Sequence, residues 1–170
     1  QNPTDYDSWF LCHKVSAKTQ KIQKEVCWNY SPKISILVPT YNTPEDLLVE
    51  MLESVLHQTY SNWELCIADA SDDKKRIPQI IQKIFSNDHR VVVNSLEHNL
   101  GIANNTNEAL KVASGEYIGL LDHDDFLEED ALFEIVKALN EIKYDCLYTD
   151  EDKYNMDSNK FEDPNFKPDF

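Results

Sequence analysis

The sequence is 170 residues long, is 41% hydrophobic and carries a formal net charge of −15 at pH 7. This length fits one folded domain with a sizeable core, and the hydrophobic fraction excludes wholesale disorder. Acidic residues outnumber basic residues 31 to 16, which excludes nucleic acid as the partner because phosphate backbones are bound by Lys and Arg.

The first part of the chain predicts a helical extension. Apolar residues recur there at loosely helical spacing, namely at Trp9, Phe10, Leu11, Val15, Ile22 and Val26. Ser31 and Pro32 then end the pattern. We therefore expect one packing helix in an N-terminal extension over residues 1–31, followed by the main domain over residues 32–170.

The main domain alternates between short apolar segments and amphipathic segments. The first predict strands over residues 34–38, 63–68, 91–94, 117–121 and 146–148, and the second predict the helices between them. In the first of these helices, Thr43 is the predicted N-cap and Pro44 the first-turn residue. Such alternation is typical of an α/β fold with a mainly parallel sheet.

Polar side chains follow every predicted strand at its C-terminal end. They are Thr40, Tyr41 and Asn42; Asp69, Ser71, Asp72 and Asp73; Asn99 and Gly101; Asp122, Asp124 and Asp125; and Asp150, Glu151 and Asp152. In parallel sheets these strand ends share one edge, and ligands bind there. The concentration of polar groups predicts a binding site at that edge.

Three aspartates crowd the segment after the fourth predicted strand. Asp122, Asp124 and Asp125 would raise one another's pKa unless a positive charge lay between them. A hard divalent cation would supply that charge. Alternatively, Asp124 and Asp125 begin a turn and cap a helix that starts near Glu128. These residues alone leave both interpretations open.

Several other kinds of site are excluded. The only glycines are Gly101, Gly115 and Gly119, so the glycine-rich phosphate-binding motifs cannot be written on this chain. Phosphates bound here would need a metal held on the carboxylates. Phe126 and Leu127 occupy positions where a calcium loop counted from Asp122 needs a polar ligand and glycine. Scattered His and Cys residues make a zinc site improbable.

Cysteine usage favours a reducing cytoplasm. We expect reduced, mostly buried thiols, with two of them inside predicted strands, although the sequence leaves disulfide pairing open. The four residues are Cys12, Cys27, Cys66 and Cys146. The sequence contains no window of roughly 18 apolar residues and no signal-peptide pattern. Gln1 is not an initiating methionine, and we expect the chain to be part of a longer protein.

Three stretches, in this order, resemble the nucleotide-sugar-binding part of family 2 glycosyltransferases. They read ISILVPTYN, ESVLHQTYSNWELCIADASDD and NLGIANNTNEALKVASGEYIGLLDHDD, and the resemblance spans residues 33–152. YTDEDKYN and PNFKPDF are similar to the subgroup that builds bacterial cell-surface polysaccharides. The resemblance implies a GT-A (Rossmann-like) three-layer sandwich, truncated so that the C-terminal acceptor part is absent.

The resemblance also implies roles for matching residues. Tyr41 would stack on the nucleobase, Asp69 would hydrogen-bond the base, and Asp122 would contact the ribose or the donor sugar. Asp124, helped by Asp125, would bind Mn²⁺ or Mg²⁺ across the diphosphate. The full implied nucleotide-binding set is Pro39, Thr40, Tyr41, Asn42, Asp69, Asn99, Gly101, Asp122 and His123.

This sequence departs from the family pattern in two places. The segment Ala68, Asp69, Ala70, Ser71 lacks one acid and one glycine of the usual motif, and Thr106 stands where many relatives carry Arg. Both departures leave the nucleotide preference open. UDP-sugars are the family's common donors, and dTDP-sugars are the alternative because both bases can stack and pair through similar edges.

The implied function is metal-dependent, inverting transfer of a sugar to a glycan or lipid-linked acceptor in cell-surface polysaccharide synthesis. The family's catalytic base lies in a later acidic segment, expected beyond Phe170, so this chain should bind the donor but transfer the sugar poorly. One of Asp150, Glu151 and Asp152 is a less favoured base, because these residues equally suit a structural role. The resemblance is compatible with peripheral association of a longer protein at the inner membrane face, where lipid-linked acceptors lie.

Two other functional classes are alternatives to the enzyme. A non-catalytic binding or interaction module could retain the same fold, and only binding data separate it from the enzyme. A phosphoacceptor receiver domain is disfavoured, because it needs an acidic pair where this chain has Thr40, Tyr41 and Asn42.

Overall fold

A computed structural model describes residues 6–86 and 88–168 of the chain. The helices are α1 (Tyr6–His13), α2 (Ala17–Lys24), α3 (Glu45–Leu56), α4 (Arg76–Phe85), α5 (Ile102–Leu110) and α6 (Ala131–Glu141). The strands are β1 (Ile34–Thr40), β2 (Trp63–Asp69), β3 (Val91–Ser95), β4 (Tyr117–Leu120), β5 (Glu151–Asn155) and β6 (Lys160–Asn165). None of the described helices is both long and apolar enough to cross a membrane.

Strands β1 to β4 form a parallel sheet in the order β3-β2-β1-β4. Every residue of β1 and β2 is buried, which explains why both segments are nearly continuous apolar runs. The register places Thr40 opposite Asp69 and Asp69 opposite Ser95. The C-terminal ends of β1, β2 and β3 are therefore level at one edge of the sheet.

Helices cover both faces of this sheet. α3, α4 and α6 bury their apolar stripes in one cluster with Ile36 and Val38. Leu37, which points to the opposite face, lies in a second cluster with Ala109 of α5 and Cys66 of β2. The predicted α/β architecture of three layers with a mainly parallel sheet is confirmed.

The segment after α6 does not extend the sheet. β5 and β6 form a separate antiparallel hairpin, and the strand predicted over residues 146–148 is wrong. Cys146 and Tyr148 are exposed and belong to no regular element. A run of three apolar residues is too short to specify a strand, and here no neighbouring strand among the described residues pairs with it.

The N-terminal extension contains two short helices, so the prediction of one helix is wrong. Ser16 separates them, because its hydroxyl accepts a hydrogen bond from the Thr19 N–H (3.2 Å) and caps α2. α1 packs on the hairpin, where the Phe10 and Phe161 rings stack with centroids 3.9 Å apart. Residues 1–5 of the predicted extension lie outside the described residues.

Two local predictions also need correction. Pro44, not Thr43, holds the N-cap position of α3, and no side-chain hydrogen bond caps that helix. The fixed φ of proline suits the start of a helix without a capping hydroxyl. The cysteines, all within the described ranges, are free thiols, but only Cys66 is buried; the exposed ones are Cys12, Cys27 and Cys146. These three lie in surface helices or irregular chain rather than in a buried strand.

Candidate functional site

Asp69 ends β2 and is fully buried. Its Oδ1 accepts hydrogen bonds from the Thr40 hydroxyl (3.2 Å) and the Ser71 N–H (2.9 Å). Its Oδ2 is buried without a hydrogen-bond partner among the described residues. A buried acceptor without a hydrogen bond lowers the free energy of unfolding by about 1–3 kcal/mol. One carboxylate oxygen is therefore fixed by the protein, and the other could accept a hydrogen bond from a ligand once the group covering it moves.

Asn42 connects the loop after β1 to the loop after β2 through hydrogen bonds. Its φ is 50°, in the left-handed region that Asn tolerates better than most residues. Its side-chain amide donates to Asp72 Oδ2 (2.8 Å), and its Oδ1 accepts from the Asp72 N–H (3.0 Å). Its own N–H donates to Ser71 Oγ (2.9 Å). The preceding Tyr41 is left 44% exposed at the same edge, whereas Pro39 is buried inside β1.

The loop after β3 is shaped by an asparagine that the sequence analysis missed. Asn105 of α5 is buried and donates through its amide to Asn99 Oδ1 (2.9 Å), which also accepts from the Gly101 N–H (2.9 Å). Gly101 has a φ of 83°, which favours glycine. Asn99 and Gly101 therefore form the turn itself. The signal for Asn105 was its place four residues before Ala109 on the buried side of α5.

Asp122, Asp124 and Asp125 follow strand β4 and lie at the same edge of the sheet. The Leu121 N–H still donates to the Leu37 carbonyl oxygen (3.2 Å), so Asp122 follows where β4 leaves β1. The Asp125 N–H donates to the Asp122 carbonyl oxygen (3.3 Å) and closes a turn. Three loops with predicted site residues, those after β1, β2 and β4, thus meet at one edge of adjacent strands.

The helix-cap interpretation of the aspartates is wrong. α6 begins at Ala131, and Asp130 holds its N-cap position without a side-chain cap. The side chain of Asp124 is instead 53% exposed, and its Oδ1 lies 3.7 Å from His123 Nδ1. Asp124 is therefore accessible to a ligand.

Electrostatics favour a cation at this loop. Partial burial raises the pKa of Asp125, and the negative charges of Asp124, Asp122 and Glu151 raise it further. The described residues contain no group of three or more His, Cys, Asp or Glu side chains that could hold a metal ion. Mg²⁺ is commonly bound by only one or two carboxylates together with substrate phosphates. Asp124 and Asp125 fit an open site of that kind.

The acidic residues at the start of β5 are engaged in holding the hairpin. Asp150 Oδ1 accepts from the Lys167 N–H (2.8 Å), and Asp152 Oδ2 accepts from the Tyr6 hydroxyl (2.8 Å). Glu151 pairs with Lys167 Nζ (3.0 Å). They do not follow a strand of the central sheet, so they are not a fifth loop of the edge. These contacts favour the structural interpretation of all three residues.

Residues 35–168 match the family model described as Glycosyl transferase family 2, and the chain belongs to this family. It is 41% identical over 161 residues to the uncharacterized protein y4gI of Sinorhizobium fredii, covering 94% of this chain and 17% of that protein. It is 37% identical over 134 residues to chondroitin synthase of Escherichia coli, covering 75% of this chain and 18% of that protein. The chain therefore spans less than a fifth of the length of either curated relative.

Two solved structures share the fold. S. aureus TarS 1-349 in complex with UDP-GlcNAc has a TM-score of 0.58 and 33% identity, covering 64% of this chain and 31% of that chain. The mannosyltransferase PcManGT from Pyrobaculum calidifontis, in complex with GDP-Man and Mn²⁺, has a TM-score of 0.56 and 26% identity, covering 71% of this chain and 37% of that chain. These likenesses confirm the predicted GT-A fold.

Proposed function

We propose that this chain forms the donor-binding part of a metal-dependent, inverting glycosyltransferase of bacterial cell-surface polysaccharide synthesis. The donor would be a UDP-sugar or dTDP-sugar, and the acceptor a glycan or lipid-linked glycan. Membership of family 2 supports sugar transfer, and TarS, which shares the fold, is seen with UDP-GlcNAc. A location at the cytoplasmic face of the membrane remains a prediction from the sequence.

The observation that carries the nucleotide proposal is the unpaired Asp69 Oδ2. Uracil and thymine present an imide N–H at N3, which is a donor for a carboxylate oxygen. Cytosine presents a bare N3 instead, which would face the carboxylate with an unpaired acceptor. Tyr41, exposed beside this edge, would stack on the base. We therefore expect the site to bind UDP or dTDP more tightly than CDP.

The aspartate loop would hold the diphosphate through a metal ion. We assign Asp124 and Asp125 as ligands of Mn²⁺ or Mg²⁺, with Asp122 at the ribose or the donor sugar. When bound, the ion supplies positive charge that stabilises the leaving nucleoside diphosphate. The mutual repulsion that raises the pKa of Asp125 supports this assignment, and PcManGT, which shares the fold, is seen with Mn²⁺.

We do not assign the catalytic base to the hairpin. Inversion requires a base that takes the proton of the acceptor hydroxyl as that oxygen attacks the anomeric carbon. Asp150, Glu151 and Asp152 lie in or beside a hairpin that is separate from the central sheet, so none of them follows a strand whose end forms the proposed donor site. We therefore propose that the 170-residue chain binds donor nucleotide but transfers sugar inefficiently without a base from elsewhere.

Calorimetric titration tests the proposal directly. UDP, dTDP, GDP and CDP are titrated into the chain with Mn²⁺ and again with EDTA, and circular dichroism verifies the fold. We expect UDP or dTDP to bind in Mn²⁺, binding to weaken strongly in EDTA, and CDP to bind less well than UDP. A folded sample that binds none of the four nucleotides would contradict the proposal.

A further inference from the structure

A cavity lies apart from Asp69, between α1 and the β5–β6 hairpin. Its volume is about 290 Å³, close to the lower end of the range of about 300–1,000 Å³ for small-molecule sites. Its walls come from α1 and the residues that follow it, from the loop before α6, and from the hairpin with the segment after it. None of its lining residues has a role in the proposed donor site.

Aromatic rings form one wall of this cavity. Trp9 is 44% exposed and Phe166 is 63% exposed. The Trp9 ring stacks on Tyr6, with centroids 5.6 Å apart, and more closely on His13, with centroids 4.3 Å apart. Phe10 is held by stacking on Phe161. The exposed Phe166 ring suits the apolar C–H face of a sugar, because stacking leaves the sugar hydroxyls free at the ring edge.

Carboxylates form another wall and are already oriented. Asp130, Asp150 and Asp152 each accept one hydrogen bond from the protein through one oxygen. The second oxygen of each makes no hydrogen bond to any residue in ranges 6–86 and 88–168. A carboxylate oxygen with open lone pairs accepts hydrogen bonds from hydroxyl groups. The wall thus offers fixed acceptors for sugar hydroxyls.

The charge of the cavity restricts what it could bind. Five carboxylates line it. Glu128 lies 3.5 Å from Lys14 Nζ and Glu151 lies 3.0 Å from Lys167 Nζ, whereas the other three form no ion pair within residues 6–86 and 88–168. The resulting negative potential disfavours a phosphate or a uronate, because like charges repel across a partly buried site. An uncharged sugar meets no such repulsion.

A chain of aromatic contacts connects the cavity to the loop that carries Asp122, Asp124 and Asp125. Phe126, which directly follows Asp125, packs edge-on against Phe161 with centroids 6.4 Å apart and against Tyr154 at 5.9 Å. Phe161 in turn stacks on Phe10, which lines the cavity. A ligand in the cavity therefore lies next to elements that pack on the proposed metal site.

We propose that this cavity binds an uncharged sugar unit of the acceptor glycan and disfavours acceptors that carry a phosphate or uronate at that unit. The link to the acceptor rests on the proposed sugar transfer, whereas sugar binding by the cavity can be measured without it.

A glycan array tests the inference with the 170-residue chain. The array carries neutral oligosaccharides alongside oligosaccharides that bear uronate or phosphate groups, and a hexalysine peptide spot probes attraction of cations in general. We expect selective binding to neutral glycans. Phe166→Ala should weaken it by about tenfold, the scale of one aromatic contact. Trp9→Ala should weaken it by less, because the Trp9 ring already stacks on Tyr6 and His13. Asp150→Asn, which retains the acceptor for Lys167, should weaken it too.

Matched controls remove similar groups from the same elements. Met156→Ala lies on the hairpin and Leu11→Ala on α1; both side chains are more than half exposed and neither lines the cavity. Both should bind glycans like the unmodified chain. The inference is overturned by a folded chain that binds no neutral glycan, that binds charged glycans or hexalysine as well as neutral ones, or whose cavity variants match the controls.

Titration with UDP in the same samples separates the two proposals. A chain that binds UDP but no neutral glycan retains the donor function and loses the cavity inference. A chain that binds neutral glycans through Trp9 and Phe166 but binds no nucleotide supports sugar binding and contradicts the donor function. All cavity variants should bind UDP normally, because none of them touches the proposed donor site.

Discussion

Asn42 and Asp72 bind each other through two hydrogen bonds, of 2.8 and 3.0 Å, that cross between the loops after β1 and β2. Asn42 adopts a positive φ, so the backbone turns sharply just after Tyr41. The pair thereby fixes the backbone next to the exposed Tyr41 relative to the loop that follows the buried Asp69. We regard Asp72 as a positioning residue: it orients the loop that would hold the nucleobase and need not contact the nucleobase itself.

Asp72→Ala should weaken UDP binding by up to about tenfold, because the exposed hydrogen bond from the Asn42 amide to its carboxylate, of about 0.5–1.5 kcal/mol, is lost. The hydrogen bond from the backbone N–H of residue 72 to Asn42 Oδ1 does not depend on the side chain. Calorimetry in Mn²⁺ measures the change. Glu50→Ala, which removes one exposed negative charge from α3, is the matched control and should leave the affinity unchanged. Equal affinities of the two variants would contradict the positioning role.

Asp69→Asn should reverse the preference between UDP and CDP. The Ser71 N–H and the Thr40 hydroxyl require an oxygen at the Oδ1 position, so the new amide group must occupy the Oδ2 position. There it would donate to the bare N3 of cytosine and oppose the N3–H of uracil. Titration of both nucleotides into both proteins measures the ratio, and an unchanged ratio would argue against contact between Asp69 and the base.

Asp124→Ala should abolish the metal dependence of nucleotide binding. The UDP affinity in Mn²⁺ should fall to the value measured in EDTA, because a proposed ligand of the ion is gone. The free energy of unfolding should change by less than about 0.5 kcal/mol, since the side chain is half exposed. Asp145→Ala, another exposed aspartate, controls for the loss of charge. Retained metal dependence in Asp124→Ala would remove that residue from the metal site.

Glu64 should make the fold sensitive to acid. Burial disfavours its charge, but hydrogen bonds from Lys33, Ser35 and Ser114 outweigh burial and lower its pKa to about 2. Because the folded pKa is below the unfolded value, the stabilisation is complete above the unfolded pKa of about 4.3 and is lost as the pH falls toward 2.

Glu64→Gln should therefore reduce the free energy of unfolding by on the order of 2–3 kcal/mol at pH 7. The difference should shrink as the pH falls from about 4.5 toward 2, which urea denaturation across that range measures. Glu134→Gln is the control. It breaks a half-exposed ion pair with Lys137 and should change the free energy of unfolding little at any pH. A pH-independent difference for Glu64→Gln would show that its charge does not stabilise the fold.

Gly115 and Gly119 should respond differently to alanine. A Cβ at Gly115 would lie 2.6 Å from both the Lys33 carbonyl oxygen and Ser35 Oγ, whereas at Gly119 the nearest atoms are 4.0 Å away. Gly115→Ala should reduce the free energy of unfolding by about 1–3 kcal/mol through overpacking, and Gly119→Ala should reduce it clearly less. Urea denaturation compares them, and equal costs would contradict the close approach at Gly115.

Much of the central fold could be read from local pattern. The apolar runs over residues 34–38 and 63–68 lie within the buried strands β1 and β2, because continuous burial leaves a signature within a single segment. The edge at which Thr40, Asp69 and Asp122 meet followed from the rule for parallel strands. Asn105 escaped this reasoning, since its role depends on a bond to a side chain in the preceding loop.

The sequence by itself determined the alternation of strands and helices, the family resemblance and the residues at the strand ends, because each of these is written within a short segment. Only the tertiary structure decided that α1 packs on a β5–β6 hairpin, that Asp150 and Asp152 serve that hairpin, and that a cavity lies between them. The physical reason is distance along the chain. Contacts such as that between the Phe161 N–H and Asp7 join segments whose local patterns carry no information about each other.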